Sequence, residues 1–283
     1  MPSLIDLRRR IRSVRNTQQV TKAMKMVSAA KLRRAQDRVV AARPYAAMFR
    51  QMLGDVAAAA AGDEKLGANL LLARRPEDRV LLVLFTADRG LAGAFNTNLI
   101  KGSQQFLAEH PHAKMSVIGR KARDFWRKRG GPIVAERTGI SQNAAFSDAA
   151  AIAREVIGRY ESAETDAVYL LYNEFKSVIA QRLTLTRILP LEVPEGRANA
   201  NYIYEQPPER LLETLLPRYV EIVVYQAMLE SAAAEHAARM TAMEAATSNA
   251  GEMIDNLTLY MNRVRQASIT KEIIEVVSGA AAV

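Results

Sequence analysis

Apolar residues in the first part of the chain recur at alternating intervals of three and four residues. Starting at Ile11, this spacing passes through fifteen positions as far as Ala60, and eleven of them are apolar. Such a stripe is typical of a helix in a coiled coil. Residues 3–53 contain no glycine and a single proline, Pro44. The pattern therefore predicts one N-terminal helix over residues 1–60, roughly 85 Å long given the rise of an α-helix.

Four consecutive positions of this stripe, from Gln18 to Ser28, are polar. In the same stretch, apolar residues such as Val20, Met26 and Val27 lie on more than one side of the helix. Two hypotheses account for this. Either other protein surrounds this part of the helix, or a stutter shifts the phase of the stripe. The sequence is compatible with both.

The C-terminal third repeats the pattern after a proline pair at residues 207–208. Spacing by three and four from Leu212 to Ser268 gives seventeen positions, thirteen of them apolar. A second long helix is therefore predicted over residues 209–283. Two such helices at opposite ends of one chain most simply bury their stripes against each other as an antiparallel coiled coil.

The middle of the chain has a different pattern, which predicts an α/β domain. A continuous apolar run, VLLVLF at residues 80–85, is typical of a buried parallel strand, and a glycine-containing turn and a helix near 98–109 follow it. Strand and helix then alternate, with strands at 114–118, 133–135 and 166–172, helices at 121–128 and 148–160, and an edge strand over 178–189. The predicted fold is thus a Rossmann-like α/β domain at 79–190 plus the coiled coil, joined by a linker at 61–78 and a connection at 191–208.

Net charge adds a constraint on partners. The chain carries +9 in total, but residues 1–50 hold thirteen Lys or Arg against two acids, so this segment is +11 and the remainder is −2. A basic helix favours an acidic surface nearby. The segment has no aromatic residue before Tyr45, so nucleic acid could bind only through its phosphate backbone, and an acidic protein fits equally well.

No pattern in the chain indicates a catalytic or cofactor site. The absence of cysteine excludes a disulfide scaffold, a thiolate zinc site and a cysteine nucleophile. The pair Gly90 and Gly93 is not a nucleotide-binding fingerprint, and the three histidines are not spaced as metal ligands. We therefore expect no catalytic residue, no cofactor and no metal. We also expect no membrane-spanning segment, because the longest uncharged run, 90–100, is too short.

Four stretches of the sequence together resemble one known family. They are RRRIRSVRNTQQVTKAMKMVSAAKLRRAQ, TADRGLAGAFN, YIYEQPP and AARMTAMEAATSNAGEMIDNLTLYMNRVRQASITKEIIEVVSGAAA. The chain resembles, over nearly its whole length, the gamma subunit of F-type ATP synthases. The resemblance implies a non-catalytic rotor shaft that couples proton flow through the membrane sector to ATP synthesis. It implies the alpha and beta subunits, the epsilon subunit and the c-subunit ring as partners, and no nucleic acid.

The resemblance also implies a location and a set of contact residues. The chain would lie on the cytoplasmic side of the bacterial plasma (inner) membrane, attached only through the complex. The first group, which would face an acidic segment of the beta subunits, is Lys22, Lys25, Met26, Arg89, Gly90 and Ala92. The second group, which would make polar contacts higher in the ring, is Arg265, Gln266, Thr270 and Glu272. The third group would be the tip in an apolar bearing and is Ile273, Val276 and Val277, and the fourth would contact epsilon and the c ring and is Tyr202, Tyr204 and Glu205.

Two other functions are compatible with the residues taken without the resemblance. One is a basic coiled-coil protein that binds nucleic acid, which the charge of residues 1–50 would serve. The other is an α/β enzyme with helical arms, which would need a ligand in the central domain.

Overall fold

A computed structural model describes residues 3–60, 69–142, 144–193, 196 and 205–280. The chain divides into two compact units, one formed by Met1–Ser28 with Met240–Val283 and the other by Ala29–Arg239. The elements in chain order are α1 (Leu4–Ala59), β1 (Val80–Phe85), α2 (Phe95–Glu109), β2 (Lys114–Ile118), α3 (Arg120–Arg127), β3 (Ile133–Arg137), α4 (Phe146–Glu161), β4 (Ala167–Phe175), β5 (Gln181–Leu189) and α5 (Pro208–Ala280).

In the first unit, α1 and α5 pack side by side in opposite directions. The hydroxyls of Thr21 and Thr247 hydrogen-bond at 2.8 Å, and one turn further along α1 the ammonium group of Lys25 pairs with Glu244. Moving forward along α1 therefore means moving backward along α5. This is the antiparallel coiled coil that the two apolar stripes predict.

The stripe of α1 keeps its phase through the polar stretch. Thr21 and Ser28 are only 8% and 3% exposed, whereas Val20, Met26 and Val27 are each more than half exposed. A stutter would have rotated the apolar residues into the contact, so that hypothesis is wrong. The polar side chains fill the contact between the helices, and the apolar ones face away from it.

The second unit contains a five-stranded sheet in the order β3-β2-β1-β4-β5. Strands β1 to β4 run parallel and β5 runs antiparallel to β4. Every residue of β1 is buried, as its apolar run predicts. The predicted edge strand lies at the edge of the sheet, but it begins at Gln181 because a turn occupies the residues before it, with Ser177 N donating to Ala180 O at 3.0 Å.

Two strands are longer than their hydropathy indicates. Strand β3 continues to Arg137 because Glu136 and Arg137 pair with the backbone of β2. Strand β4 continues to Phe175, which pairs with Gln181 in β5. Backbone pairing extends a strand whatever its side chains are, so the apolar run alone underestimates both lengths.

Helix α5 is enclosed on all sides over part of its length in the second unit. Each residue from Ala227 to Arg239 is buried, including four charged or titratable ones. The apolar stripe predicts burial on one face only. The small residues of this stretch, such as Ala233 and Ala237 at 0% exposure, allow other chain segments to approach the helix from every direction.

Candidate functional site

Within the described ranges, no group of His, Asp and Glu is arranged to hold a metal ion. Nor does any described helix combine the length and the apolar character needed to cross a membrane. The features with functional character are instead surfaces: the turn after β1, the outer side of α1, and the C-terminal part of α5.

Asp88 holds the turn after β1 to the start of α3 and to the loop after β3. One carboxylate oxygen of Asp88 accepts a hydrogen bond from the backbone N–H of Arg120 at 3.0 Å, and the other accepts from Gly139 N at 3.0 Å and Ser141 Oγ at 2.8 Å. Partial burial alone would raise the pKa of Asp88, but these hydrogen bonds outweigh it and hold the pKa below its usual range. The carboxylate is therefore ionised at neutral pH and fixes where the turn begins.

The same turn is held to α5 by Arg239. Its Nε and Nη2 both donate to the carbonyl of Gly90 at 3.3 Å, and Nη2 also donates to Arg89 O at 3.4 Å. Nη2 further donates to a carboxylate oxygen of Glu235 at 2.7 Å. Burial raises the pKa of Glu235, and the charge of Arg239 opposes this. The buried ion pair of Glu235 and Arg239 thus holds the backbone of the turn against α5.

Some side chains of the turn are exposed to solvent, and one is buried. Arg89 is exposed and Leu91 is 62% exposed, with Leu91 in the left-handed region at φ 61°. Ala92, however, is only 2% exposed. The expectation that Ala92 contacts a partner needs correction, because its methyl group packs inside the domain and a partner could not reach it without moving the turn.

The outer side of α1 carries the other three residues of the first group of expected contacts, Lys22, Lys25 and Met26. Lys22 is exposed and Met26 is 59% exposed. Lys25 differs from them, since its ammonium group pairs with Glu244. The surface that α1 offers here is therefore mixed, with an exposed cation beside exposed apolar side chains.

The C-terminal part of α5 carries the next two groups. Arg265, Gln266, Thr270 and Glu272 are all exposed. Three of them take part in hydrogen bonds within the helix: Thr270 Oγ1 donates to Gln266 O at 2.9 Å, and Ser268 Oγ donates to Glu272 at 3.3 Å.

Beyond these residues, α5 exposes a run of large apolar side chains. All residues from 269 to 278 are exposed, and Ile273, Val276 and Val277 have 57%, 72% and 61% of their surface in contact with solvent. Apolar side chains exposed around a helix are unfavourable in water. This end of the helix therefore has the character of a surface that another protein covers.

The fourth group is described only in part. Tyr202 and Tyr204 lie outside the described residues, and Glu205 is exposed in a bend just before α5. The described residues of the four groups therefore lie on four parts of the chain: the outer side of α1, the turn after β1, the bend before α5 and the C-terminal part of α5.

Sequence reasoning did not identify Asp88 and Arg239 as the residues that hold the turn. Arg239 contacts a carbonyl 149 residues away in the chain, and no local pattern signals such a contact. The unusual charge within the stretch EHAAR, in a helix segment otherwise made of alanine, is the one signal that could have drawn attention to Arg239.

Comparison with known proteins gives consistent results over the whole chain. A family model described as ATP synthase matches residues 3–283. The ATP synthase gamma chain of Solibacter usitatus is 64% identical over 284 residues, which cover all of this chain and 99% of that relative. The ATP synthase gamma chain of Anaeromyxobacter sp. is 52% identical over 289 residues, with the same coverage.

Solved structures agree with this. A chain from the central stalk and c-ring of Tetrahymena thermophila mitochondrial ATP synthase is similar with a TM-score of 0.63 and 27% identity, covering 80% of this chain and 99% of that one. A chain of the Euglena gracilis mitochondrial ATP synthase has a TM-score of 0.70 over 99% of this chain and 94% of its own length, and at 19% identity it supports the fold alone.

Proposed function

The chain belongs to the ATP synthase gamma chain family, and from that premise we propose that it is the shaft around which the alpha and beta subunits of a bacterial F-type ATP synthase are arranged. It is a central-stalk subunit that is itself non-catalytic. The comparisons fit neither a nucleic-acid-binding protein nor an α/β enzyme with helical arms. The observation that carries the proposal is the exposed apolar C-terminal part of α5, which needs a surrounding protein surface.

The shaft would act by presenting different side chains to identical subunits. Around the first unit, one direction shows the apolar Val20 and Val27 of α1, whereas another shows the polar Glu244 of α5. Ring subunits that meet different surfaces adopt different conformations, and turning the shaft passes each conformation from one subunit to the next. Proton flow that turns the shaft would in this way drive the release of ATP.

The contacts with the ring follow the exposed groups. We assign Ile273, Val276 and Val277 to an apolar bearing at the end of α5 because they are large, apolar and exposed. The polar contacts higher in the ring are assigned to Arg265, Gln266, Thr270 and Glu272. The contacts with an acidic segment of the beta subunits are assigned to Lys22, Lys25, Met26, Arg89 and the backbone of Gly90.

The fourth group of residues accounts for the remaining contacts. Tyr202, Tyr204 and Glu205 are assigned to the epsilon subunit and the c-subunit ring, at the connection before α5. In the same proposal, the coiled-coil arms at 1–60 and 209–283 serve the ring, and the α/β domain at 79–190 serves the side toward the membrane. The complex would lie on the cytoplasmic side of the bacterial inner membrane, which this chain reaches only through its partners.

Reconstitution with alpha and beta subunits tests the assignment of the polar contacts. Reversing Arg265 to Glu together with Gln266→Ala removes a cation and a hydrogen-bonding group that α5 exposes, so ATPase turnover should fall by about 3- to 10-fold. Circular dichroism should show an unchanged helix content, because neither side chain is buried.

The matched control is Arg263→Glu, the same charge reversal on the same helix but about 200° around it from Arg265. It should lower turnover less. Equal losses in the two variants, or no loss in either, would contradict the assignment of Arg265 and Gln266.

A further inference from the structure

A cavity of about 430 Å³, here called the α1–α5 cavity, lies between α1, α5 and the end of β4 in the second unit. Its walls combine apolar side chains, among them Phe175, Ile222 and Val223, with charged side chains from all three elements. A cavity of this size holds a small organic molecule, and such sites usually combine apolar walls with a few polar groups. The charged groups therefore decide which class of molecule fits.

The inner wall of the α1–α5 cavity carries a buried carboxyl group, that of Glu230, which is only 3% exposed. One of its oxygens accepts a hydrogen bond from Gln226 Nε2 at 3.3 Å. Within the described part of the chain, no hydrogen bond reaches the other oxygen, and no cation lies within 4.0 Å of the carboxyl group. Burial raises the pKa of Glu230, although the charges of Arg43 and Lys176 oppose this. An ammonium group bound in the cavity would supply the partner that this carboxyl group lacks.

The open side of the cavity carries two cations of α1, Arg43 and Arg50. Both are exposed, and they lie on the same side of the helix because seven residues, or about two turns, separate them. Among the described residues, neither forms an ion pair within 4.0 Å, and Arg50 Nε donates a hydrogen bond to Tyr219 Oη at 3.3 Å. A carboxylate matches the planar guanidinium group and would supply the missing counter-charge.

The other two charged side chains of the cavity neutralise each other. Lys176 Nζ pairs with a carboxylate oxygen of Glu174 at 2.5 Å. This pair leaves Glu230 on the inner wall and the two arginines at the opening as the charged groups of the cavity that an occupant would satisfy. A molecule with an ammonium group at its inner end and a carboxylate at its outer end complements this arrangement.

We propose that the α1–α5 cavity binds a free α-amino acid with an apolar side chain. The ammonium group donates hydrogen bonds to Glu230, the carboxylate accepts them from Arg43, and the side chain packs against Ile222 and Val223. A simple anion would leave Glu230 without a partner, and a simple cation would be repelled by Arg43 and Arg50. This proposal goes beyond the shaft function and does not depend on it.

Isothermal titration calorimetry of the full chain with L-leucine tests the proposal. Two analogues of leucine each lack one of its charges: leucinamide has no carboxylate, and N-acetyl-L-leucine has no ammonium group. Both should bind at least about 10-fold more weakly than leucine, because each loses a charge-assisted contact. If either analogue binds as tightly as leucine, or if leucine at about 10 mM does not bind, the proposal is wrong.

Substitutions in the cavity locate the binding. Glu230→Gln keeps the shape of the side chain and removes its charge, and Arg43→Gln removes the cation at the opening. Each should weaken leucine binding by at least about 10-fold. The matched control is Glu213→Gln, an exposed carboxylate of α5 outside the cavity, which should bind leucine as the parent does. Equal losses in the control, or no loss in the two cavity variants, would overturn the assignment.

The comparison of leucine with its analogues needs no substitution, so it decides the proposal even if Glu230→Gln does not fold. Leucine should also raise the midpoint of urea unfolding, because it binds only the folded chain. A chain that assembles with alpha and beta subunits into an active complex but binds no leucine would contradict the ligand site and leave the shaft function intact. A chain that binds leucine but fails to assemble would contradict the shaft function alone.

Discussion

Three of the buried titratable side chains of α5 are Glu235, His236 and Arg239, all less than a tenth exposed. Glu235 and Arg239 pair with each other. His236 has no such partner: within the described part of the chain, its Nδ1 atom makes no hydrogen bond. Burial lowers the pKa of His236 to about 4, assisted by the positive charges of Arg239 and Lys31. The imidazole is therefore neutral in the folded chain at pH 7.

This histidine makes the folded chain sensitive to acid. The unfolded state has the ordinary pKa of 6.5 and takes up a proton first, so stability is complete above pH 6.5 and is lost as the pH falls from there toward 4. We expect His236→Leu to flatten this part of the profile, measured by urea unfolding of the isolated chain at several pH values. The control is His112→Leu, an exposed histidine, which should retain the loss. A variant at His236 as acid-sensitive as the parent would disprove the assignment.

At the scale of elements, the two long helices follow directly from their patterns. The three-and-four spacing identifies Leu32, Val39, Phe49 and Leu53 as buried positions of α1, and all four are at most 7% exposed. Periodicity suffices here because a helix in a coiled coil packs mainly along one stripe.

The enclosed part of α5 and the turn after β1 were not predictable in this way. Over residues 227–239 the helix is buried on every side, and which sides are covered depends on segments distant in the chain. Ala92 illustrates the same limit in the site, since its burial depends on how the turn packs. The expected contact groups came from family resemblance, and only the structure shows which of their described residues are exposed.

The polar contact between Thr21 and Thr247 yields a prediction about the coiled coil. Replacing either threonine by valine leaves the other hydroxyl with one fewer partner, so each single variant should lose about 1 kcal/mol of unfolding free energy. Replacing both removes both hydroxyls, so that neither is left without its hydrogen-bond partner, and the double variant should be at least as stable as either single one. Urea unfolding of the four proteins forms a double-mutant cycle, and strictly additive losses would contradict a direct contact.

At the scale of the whole molecule, charge and apolar surface point to a chain that is complete only among partners. Residues 1–50 carry +11, and the end of α5 exposes Ile273, Val276 and Val277. A chain that acts alone would gain nothing from either feature, because like charges repel and exposed apolar groups favour aggregation. An acidic, partly apolar ring around the two helices would neutralise the positive charge and cover the apolar side chains.

Rotation of this chain inside the ring is the central claim, and the absence of cysteine makes it directly measurable. Ile179, 89% exposed in the turn before β5, can be replaced by the chain's sole cysteine and coupled to a bead. With alpha and beta subunits fixed to a surface and ATP added, the bead should turn repeatedly in one direction, and turning should stop when ATP is removed. A complex that hydrolyses ATP at its full rate while the bead stays still would contradict the account.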